Sequence, residues 1–340
     1  MSSSSLITLR IQKIIRETGD TRSFILESPD GSPVSYLPGQ FLTFVFSKTN
    51  GEEERRSYSI SSACNEPLQV TVKRIPNGHY SRWFSDQAKE GDLLYTTGAS
   101  GFFILPEMLE TYTQLVFFAA GSGITPVYSL IKTLLQQYPL IKLALIYSSV
   151  SAEQTIFYAA LRQLQADHAD RLRIDFLFSR TIPRKRLNVH MIAEAAHRYG
   201  NDALFYLCGP IEYMRSISIV LRTEGIPVQS IRKEIFHIEK TVMKERPPDT
   251  FPHQVTARID GKEYAFSTQY PVTILQAAKA LKIPVPYSCE AGQCGTCSAT
   301  CVSGKVWMGR NEVLLEEETA KARVLTCTGY PVGGDVVLQF

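Results

Sequence analysis

The chain has 340 residues, 44% hydrophobic and 20% charged, an ordinary composition for a folded protein with room for two or three domains. Its net charge of +3, from 36 basic and 33 acidic side chains, gives nucleic acid or an acidic membrane surface no general hold on it. No uninterrupted apolar stretch approaches the ~20 residues that span a bilayer, so no membrane insertion is expected.

The opening MSSSSLITLR lacks the basic start and long apolar core of a signal peptide, and its serine run reads as a disordered tail. A cytoplasmic protein is the expectation. Up to about residue 110, short β-rich runs alternate with Pro, Gly and Asn. Gln40 to Ser47, Arg56 to Ala63 and Leu68 to Ile75 are examples, and their spacing predicts a small antiparallel β-barrel. From Leu115 the pattern changes. LVFFAA, IKLALIYSS, LRIDFLFSR and ALFYLCGP are continuous apolar strands, separated by helical stretches such as AEQTIFYAALRQLQ and IEYMRSISIVLRTEG. That alternation predicts a parallel α/β sheet. The charged, proline-bearing stretch Glu239 to His253 has no apolar periodicity and reads as a linker. Beyond it come a hairpin with a Gly turn, a short helix TILQAAKALKI, a cysteine-rich loop and a last strand near Val336 to Phe340. Residues 254–340 carry 8 basic and 8 acidic side chains. So neutral and small a module could fold alone if a metal centre supplemented its core.

The seven cysteines are an odd number, and five lie at 289, 294, 297, 301 and 327. Without a signal peptide, such crowding favours metal binding over a disulfide framework. The first three read C-x4-C-x2-C, whereas zinc sites usually pair two C-x2-C-like hooks. The spacing is that of the plant-type [2Fe–2S] loop, which takes its fourth thiolate from a distant cysteine. Cys327 is favoured for that place over Cys301, which period-2 alternation puts beside Ala299 as a core thiol. Gly292 and Gly295 supply the backbone freedom the loop needs. A structural zinc site stays open as the alternative.

Three further stretches carry site chemistry. Arg56-Ser57-Tyr58-Ser59 lies on a barrel strand, and Val72-Lys73-Arg74 ends the next. Gly78 to Ser81, with His79 and Tyr80 between, opens a helix whose free N–H groups suit an anion, and Arg56, Lys73 and Arg74 are candidate diphosphate contacts. Gly121-Ser122-Gly123-Ile124-Thr125-Pro126 joins a strand to a helix, with two glycines where a phosphate-bearing ligand must approach the backbone. It lacks the third glycine of the usual dinucleotide fingerprint. Cys208-Gly209-Pro210 ends a buried strand at its carboxyl edge, where α/β proteins place ligands. Ser179 and Arg180, followed by Arg184, Lys185 and Arg186, end the third α/β strand with donors suited to a 2′-phosphate. The bland readings are an exposed strand arginine, a tight turn, a core thiol and a solvated basic loop.

Together these motifs resemble the ferredoxin–NADP reductase superfamily, and residues 254–340, with PYSCEAGQCGTC and VLTC, look like a plant-type ferredoxin domain. The resemblance implies an FAD-binding β-barrel over 5–108, an NAD(P)-binding α/β domain over 109–238, a linker over 239–253 and a β-grasp [2Fe–2S] domain over 254–340. It implies that Tyr58 lies against the flavin ring, that Ser59 bonds near its N5, and that Arg56 and the Gly78–Ser81 turn meet the phosphates. It puts Cys208 beside the nicotinamide and lets Thr125 reach the flavin. It favours NADPH, with NADH the alternative, through Ser179 and Arg180. The chain looks most like oxygenase reductase components of the phenylacetyl-CoA epoxidase type. The implied function is electron transfer from NADPH through FAD and the cluster to a partner protein such as an oxygenase component. Other acceptors (a free ferredoxin, a hybrid-cluster protein, a desaturase) and a zinc-binding nucleotide sensor are the other readings. Glu312 and Glu316 to Glu318 form an acidic patch that would suit a basic partner or be simply solvated.

Overall fold

The computed structural model describes residues 6–48, 51–200, 202–236 and 245–340. The serine run at 2–5 and residues 239–244 of the expected linker lie outside them. The described residues form two compact units, one within 7–99 and 103–236, the other of Leu6, Ser100–Phe102 and 245–340.

The larger unit begins with strands β1 (Ile7–Arg16), β2 (Thr21–Glu27), β3 (Phe41–Ser47), β4 (Glu53–Ser59), β5 (Gln69–Lys73) and β6 (Leu93–Ser100), with helix α1 (His79–Asp86) between the last two. They form one sheet in the order β4-β3-β6-β1-β2-β5, and a bridge from Ile60 to Val70 brings its two edges together. Leu9, Ile11, Phe24, Phe44, Val70 and Phe84 fill the interior with almost no exposure. The expected barrel is therefore present, and α1 packs Phe84 into it.

Five parallel strands follow: β7 (Gln114–Ala120), β8 (Lys142–Ser149), β9 (Leu172–Phe178), β10 (Ala203–Cys208) and β11 (Ile231–Glu234), in the order β11-β10-β7-β8-β9. Helices α2 (Ile124–Gln137), α3 (Tyr158–Asp167), α4 (Val189–Tyr199) and α5 (Ile211–Thr223) connect them. On β7, Leu115, Phe117 and Ala119 join the core with α2 and α3, while Val116 and Phe118 join the core with α4 and α5. Burial on both faces is why this strand reads as an unbroken apolar run. Helix α3 starts at Tyr158, well inside the expected helical stretch, because Phe157 takes a left-handed φ of 60°. Helical backbone cannot run through such a residue.

The smaller unit contains β12 (His253–Ile259), β13 (Lys262–Thr268), α6 (Ile274–Ala280), β14 (Ser298–Ser303), β15 (Val306–Met308), α7 (Glu316–Ala320), β16 (Arg323–Leu325), β17 (Gly329–Pro331) and β18 (Val336–Gln339). Its main sheet has the order β13-β12-β18-β14-β16, with α6 buried against it through Ile274, Leu275 and Ala278. Thr273 and Gln276 cap α6 reciprocally. The β12–β13 hairpin turns at Asp260 and Gly261, both with positive φ. The expected linker overlaps this unit: His253 is already in β12, and Asp249 accepts the Gly333 N–H at 2.8 Å.

Candidate cofactor sites

The cysteine loop hangs between α6 and β14. Gly292 and Gly295 have φ of 72° and 74°, where side-chain-bearing residues are strained. A Cβ on Gly295 would also fall 2.5 Å from the Phe102 ring. Cys297 stands just before Ser298, which pairs with Leu325 across β14 and β16, so the ladder delivers Cys327 to the loop from the other side. Thr326 Oγ1 donates to the Cys297 carbonyl at 3.0 Å. The sulfurs approach as two pairs, Cys289 with Cys294 and Cys297 with Cys327. Cys289 is held down to about 6, first by the Cys294 thiol and then, against the opposing effect of burial, by the N–H groups of Gln293, Ala291 and Cys294. Cys294 and Cys297 are pushed well above the ordinary thiol value, each first by hydrogen bonding to its paired cysteine and then by burial. Among the described residues, no three His, Cys, Asp or Glu side chains converge as the shell of a single ion. Two thiol pairs fit a two-iron cluster, which takes two thiolates on each iron, better than a tetrahedral zinc.

Cys301 packs on the core that holds Ala299, as alternation expects, but is half-buried rather than enclosed. The register with β18 shifts between Cys301 and Ser303, and Val302 and Ser303 beyond it are exposed. The thiol is left half-buried, donating to the Ser303 carbonyl at 3.4 Å. In the acidic patch, Glu312 is committed to Arg310 at 2.6 Å and to the Gln293 amide at 3.0 Å. It braces the cysteine loop, while Glu316 to Glu318 start α7.

In the barrel, β3 and β4 pair Leu42 with Tyr58 and Phe44 with Arg56. Tyr58 is half-buried, edge-on to Phe84 at 5.1 Å, and burial raises its phenol far above the usual range. Ser57 bonds the Thr43 hydroxyl at 2.9 Å, and Ser59 ends the strand at 5% exposure. Gly78 N-caps α1, and the Ser81 hydroxyl donates to the Gly78 carbonyl and accepts from the Ile75 N–H, both at 3.2 Å. His79 is exposed, and Tyr80 stacks on Phe46 at 4.0 Å. Arg56 lies 5.5 Å over the Tyr80 ring and pairs with Glu54, so its charge meets the first turn of α1. The other two cations are not brought there. Arg74 binds Asp86 at the last turn of α1 (3.2 Å), and Lys73 pairs with Asp20 at 3.5 Å. Val72 is 3% exposed in the barrel core, leaving only its main chain for a ligand.

In the parallel sheet the chain leaves β7 toward β8 and later returns to its other side as β10. The crevice at the carboxyl ends of β7 and β10 is the topological switch point. Both α/β motifs open onto it: Gly121–Gly123 follows β7 as a 3-10 turn, and Cys208-Gly209-Pro210 follows β10. The two turns touch backbone to backbone, since a Cβ on Gly123 would fall 2.1 Å from the Cys208 carbonyl oxygen. Thr125 is 2% exposed and donates to the Ser122 carbonyl at 2.9 Å, fixing the turn, with Pro126 in the first turn of α2. Cys208 is fully buried, and burial first and Glu234 second push its thiol up, so it stays neutral. Glu234 escaped notice in the sequence. It ends β11, Ile231-Arg232-Lys233-Glu234, in register with Cys208, and nothing in so charged a stretch set it apart. Ser179 and Arg180 leave β9 with their N–H groups bonded at 3.0 Å to the Ser149 and Val150 carbonyls, so the turns after β8 and β9 form one rim. Arg180, Arg184, Lys185 and Arg186 are exposed there.

Comparison with known proteins finds a matching domain family for each of the three parts of the chain. An oxidoreductase FAD-binding domain profile matches residues 8–104, an oxidoreductase NAD-binding domain profile 117–218, and a 2Fe-2S iron-sulfur cluster binding domain profile 257–332. The 3-ketosteroid-9-alpha-monooxygenase ferredoxin reductase component of Mycobacterium tuberculosis (strain ATCC 25618 / H37Rv) is 29% identical, over 98% of this chain and 96% of that one. A component of the 1,2-phenylacetyl-CoA epoxidase of Escherichia coli (strain K12) is 32% identical, over 98% and 97%. The solved phthalate dioxygenase reductase is 25% identical with a TM-score of 0.62, over the full length of both chains. An intact type IV self-sufficient cytochrome P450 monooxygenase shares the fold at TM-score 0.76 and 22% identity, over 98% of this chain but 41% of that longer one. Fold and site thus define a nicotinamide-dependent flavoprotein oxidoreductase with a ferredoxin domain in the same chain. The chain belongs to the ferredoxin–NADP reductase superfamily, among the oxygenase reductase components with a C-terminal [2Fe–2S] domain, and its cofactors are FAD, NAD(P)H and a [2Fe–2S] cluster. No helix among the described residues is long and apolar enough to cross a membrane.

Proposed function

We propose that the chain is the reductase of a multicomponent oxygenase, moving electrons from NADPH through FAD and the [2Fe–2S] cluster to an oxygenase component. The observation that carries this reading is the convergence of the Gly121–Gly123 and Cys208–Pro210 turns at one switch point, in a chain that also bears a two-pair thiol loop. When bound, the flavin converts a two-electron hydride donor into single electrons that the cluster carries onward. The protein binds and aligns. Gly123 lets the nicotinamide turn lie flat on the Cys208 turn, and the neutral Cys208 thiol adds no charge where the nicotinamide ring would lie. Ser59 would offer its hydroxyl to a bound flavin ring, and Tyr58 would pack against that ring. Arg56 and the first turn of α1, Gly78 to Ser81, take the flavin phosphates. Cys289, Cys294, Cys297 and Cys327 hold the cluster. The barrel, the parallel-sheet domain and the ferredoxin domain divide the work, and the cytoplasm, which keeps thiols reduced, suits the cysteine loop.

Anaerobic mixing with NADPH and a purified oxygenase component tests the reading. Reduction of that component at a catalytically competent rate is expected, and reduction only of a free ferredoxin, a hybrid-cluster protein or a desaturase would overturn it. Ser59→Ala should lower the limiting rate of flavin reduction by about 10- to 100-fold, the range for one well-placed hydrogen bond in the transition state, with FAD content unchanged. A wild-type stopped-flow trace would remove Ser59 from the chemistry. Arg180→Ala should raise the KM for NADPH by about tenfold, as loss of one charge-assisted contact does, and leave NADH unaffected. Equal effects on both nucleotides would deny it a 2′-phosphate role.

A further inference from the structure

Just beyond Ser59 the chain runs through Ile60, Ser61, Ser62 and Ala63, all at most 1% exposed, and then turns out at Glu66. None of the cofactor motifs includes this segment, yet α2 is fastened to it at two points. Ser129, fully buried, donates its hydroxyl to the Ser62 carbonyl at 2.6 Å. Lys132, 9% exposed, binds the Glu66 carboxylate and lies 4.4 Å over the Tyr128 ring. Glu66 also accepts the Ala63 N–H at 2.9 Å, and the Tyr36 hydroxyl donates to the Ala63 carbonyl at 2.7 Å, so the segment is rigid from the barrel side too. Glu17 adds a second carboxylate facing Lys132. Ser129 and Lys132 are three residues apart on one face of α2. Polar side chains on this stripe are out of place in a helix whose neighbouring residues Val127, Leu130, Ile131 and Leu134 are wholly buried.

What the two fastenings join is specific. The start of α2 carries the Gly121–Gly123 turn, pressed on the Cys208 carbonyl. Its middle is tied to the chain that continues from Ser59. A single stiff helix therefore links the nicotinamide turn to the flavin strand, and hydride transfer depends on that separation. We propose that Ser129 and Lys132 are positioning residues for hydride transfer, using α2 as a strut that sets the spacing between the Ser59 strand and the nicotinamide turn. The inference rests on the assignment of Ser59 and of the Gly121–Gly123 and Cys208 turns given above.

The test uses the full-length protein with FAD and cluster loaded, and compares wild type, Ser129→Ala, Lys132→Met and Lys132→Arg. A displacement of ~1 Å costs up to ~100-fold in a reaction that relies on alignment. On that scale the limiting rate of flavin reduction should fall ~10-fold in Ser129→Ala and up to ~100-fold in Lys132→Met, with Lys132→Arg recovering most of it. FAD content and the half-saturating NADPH concentration should stay near wild type, a split that general destabilisation does not produce. Independently of activity, hydrogen exchange at Ile60 to Glu66 should accelerate in both loosened variants. Wild-type rates with faster exchange would overturn the positioning role, as would a rate loss that follows loss of bound FAD. If Lys132→Met does not fold, Ser129→Ala decides alone. A wild-type flavin that NADPH does not reduce overturns the site assignment and this inference together, whereas normal rates in the variants overturn the inference only.

Discussion

Replacing Cys327 with alanine will remove the [2Fe–2S] visible absorbance and its EPR signal, and electron delivery to any one-electron protein partner will stop. The expectation follows from the pairing of the sulfurs. Cys327 meets Cys297, and Cys289 meets Cys294, so loss of Cys327 leaves one iron with a single protein thiolate. A cluster so held has no second ligand to replace it, since Cys301 spends its thiol on the Ser303 carbonyl at the exposed end of β14. The module around the cysteine loop is small, and its core includes Cys297 and Cys327 themselves, so losing the cluster should also lower its thermal transition. The flavin and nicotinamide sites lie in the other compact unit, and their residues are untouched. Flavin reduction by NADPH should continue within about twofold of wild type, as sites that share no partners behave independently. Cys301→Ala is the paired control, with full EPR intensity expected. A normal spectrum in Cys327→Ala, or a lost one in Cys301→Ala, would mean the fourth ligand has been misassigned.

The contrast between those two cysteines shows what a sequence can and cannot carry. The C-x4-C-x2-C spacing is local, and it names three ligands without a fold. The fourth, Cys327, was favoured from that spacing, and the β14–β16 ladder, a pairing between distant segments, shows how the fold brings it to the loop. Alternation correctly put Ala299 in the core, but it could not foresee the register shift after Cys301 that leaves this thiol half-buried at the core's edge. The apolar runs of β7 and β10 announced a parallel sheet because both are buried on both faces, whereas β9, at the sheet edge, exposes Arg173. The cations were harder. Arg56, Lys73 and Arg74 look equivalent in the sequence, yet Arg74 reaches Asp86 at the wrong end of α1 for an anion at Gly78. Long side chains choose among partners that only tertiary structure supplies. Ser129 and Lys132 were silent for the same reason, since their partners Ser62 and Glu66 lie on another domain's loop.

The second large effect is expected from one methyl group. Gly123→Ala should depress flavin reduction by NADPH by about 100-fold or more, while FAD stays bound and the cluster keeps its spectrum. Gly123 has an ordinary φ of −62°, so backbone conformation does not demand glycine there. Space does. The added Cβ would lie 2.1 Å from the Cys208 carbonyl oxygen, 2.4 Å from its carbon and 2.8 Å from the Gly209 nitrogen. All three are main-chain atoms at the end of a central strand, so no flexible side chain can move aside. Relief requires the two turns to part by about 1 Å or more, since ordinary van der Waals contact is ~3.5–4 Å. Overpacking of this kind costs roughly 1–3 kcal/mol in stability, which a unit of this size can absorb and remain folded. The crevice proposed for the nicotinamide should not absorb it, because the two turns that part would be its walls. Affinity for NADPH and the rate of hydride transfer should therefore fall together, unlike in Ser59→Ala, where only the rate falls. Dithionite reduction of the same variant should proceed normally, separating a damaged crevice from a damaged flavin. Wild-type NADPH kinetics in Gly123→Ala would show that the contact between these turns has no part in the reaction.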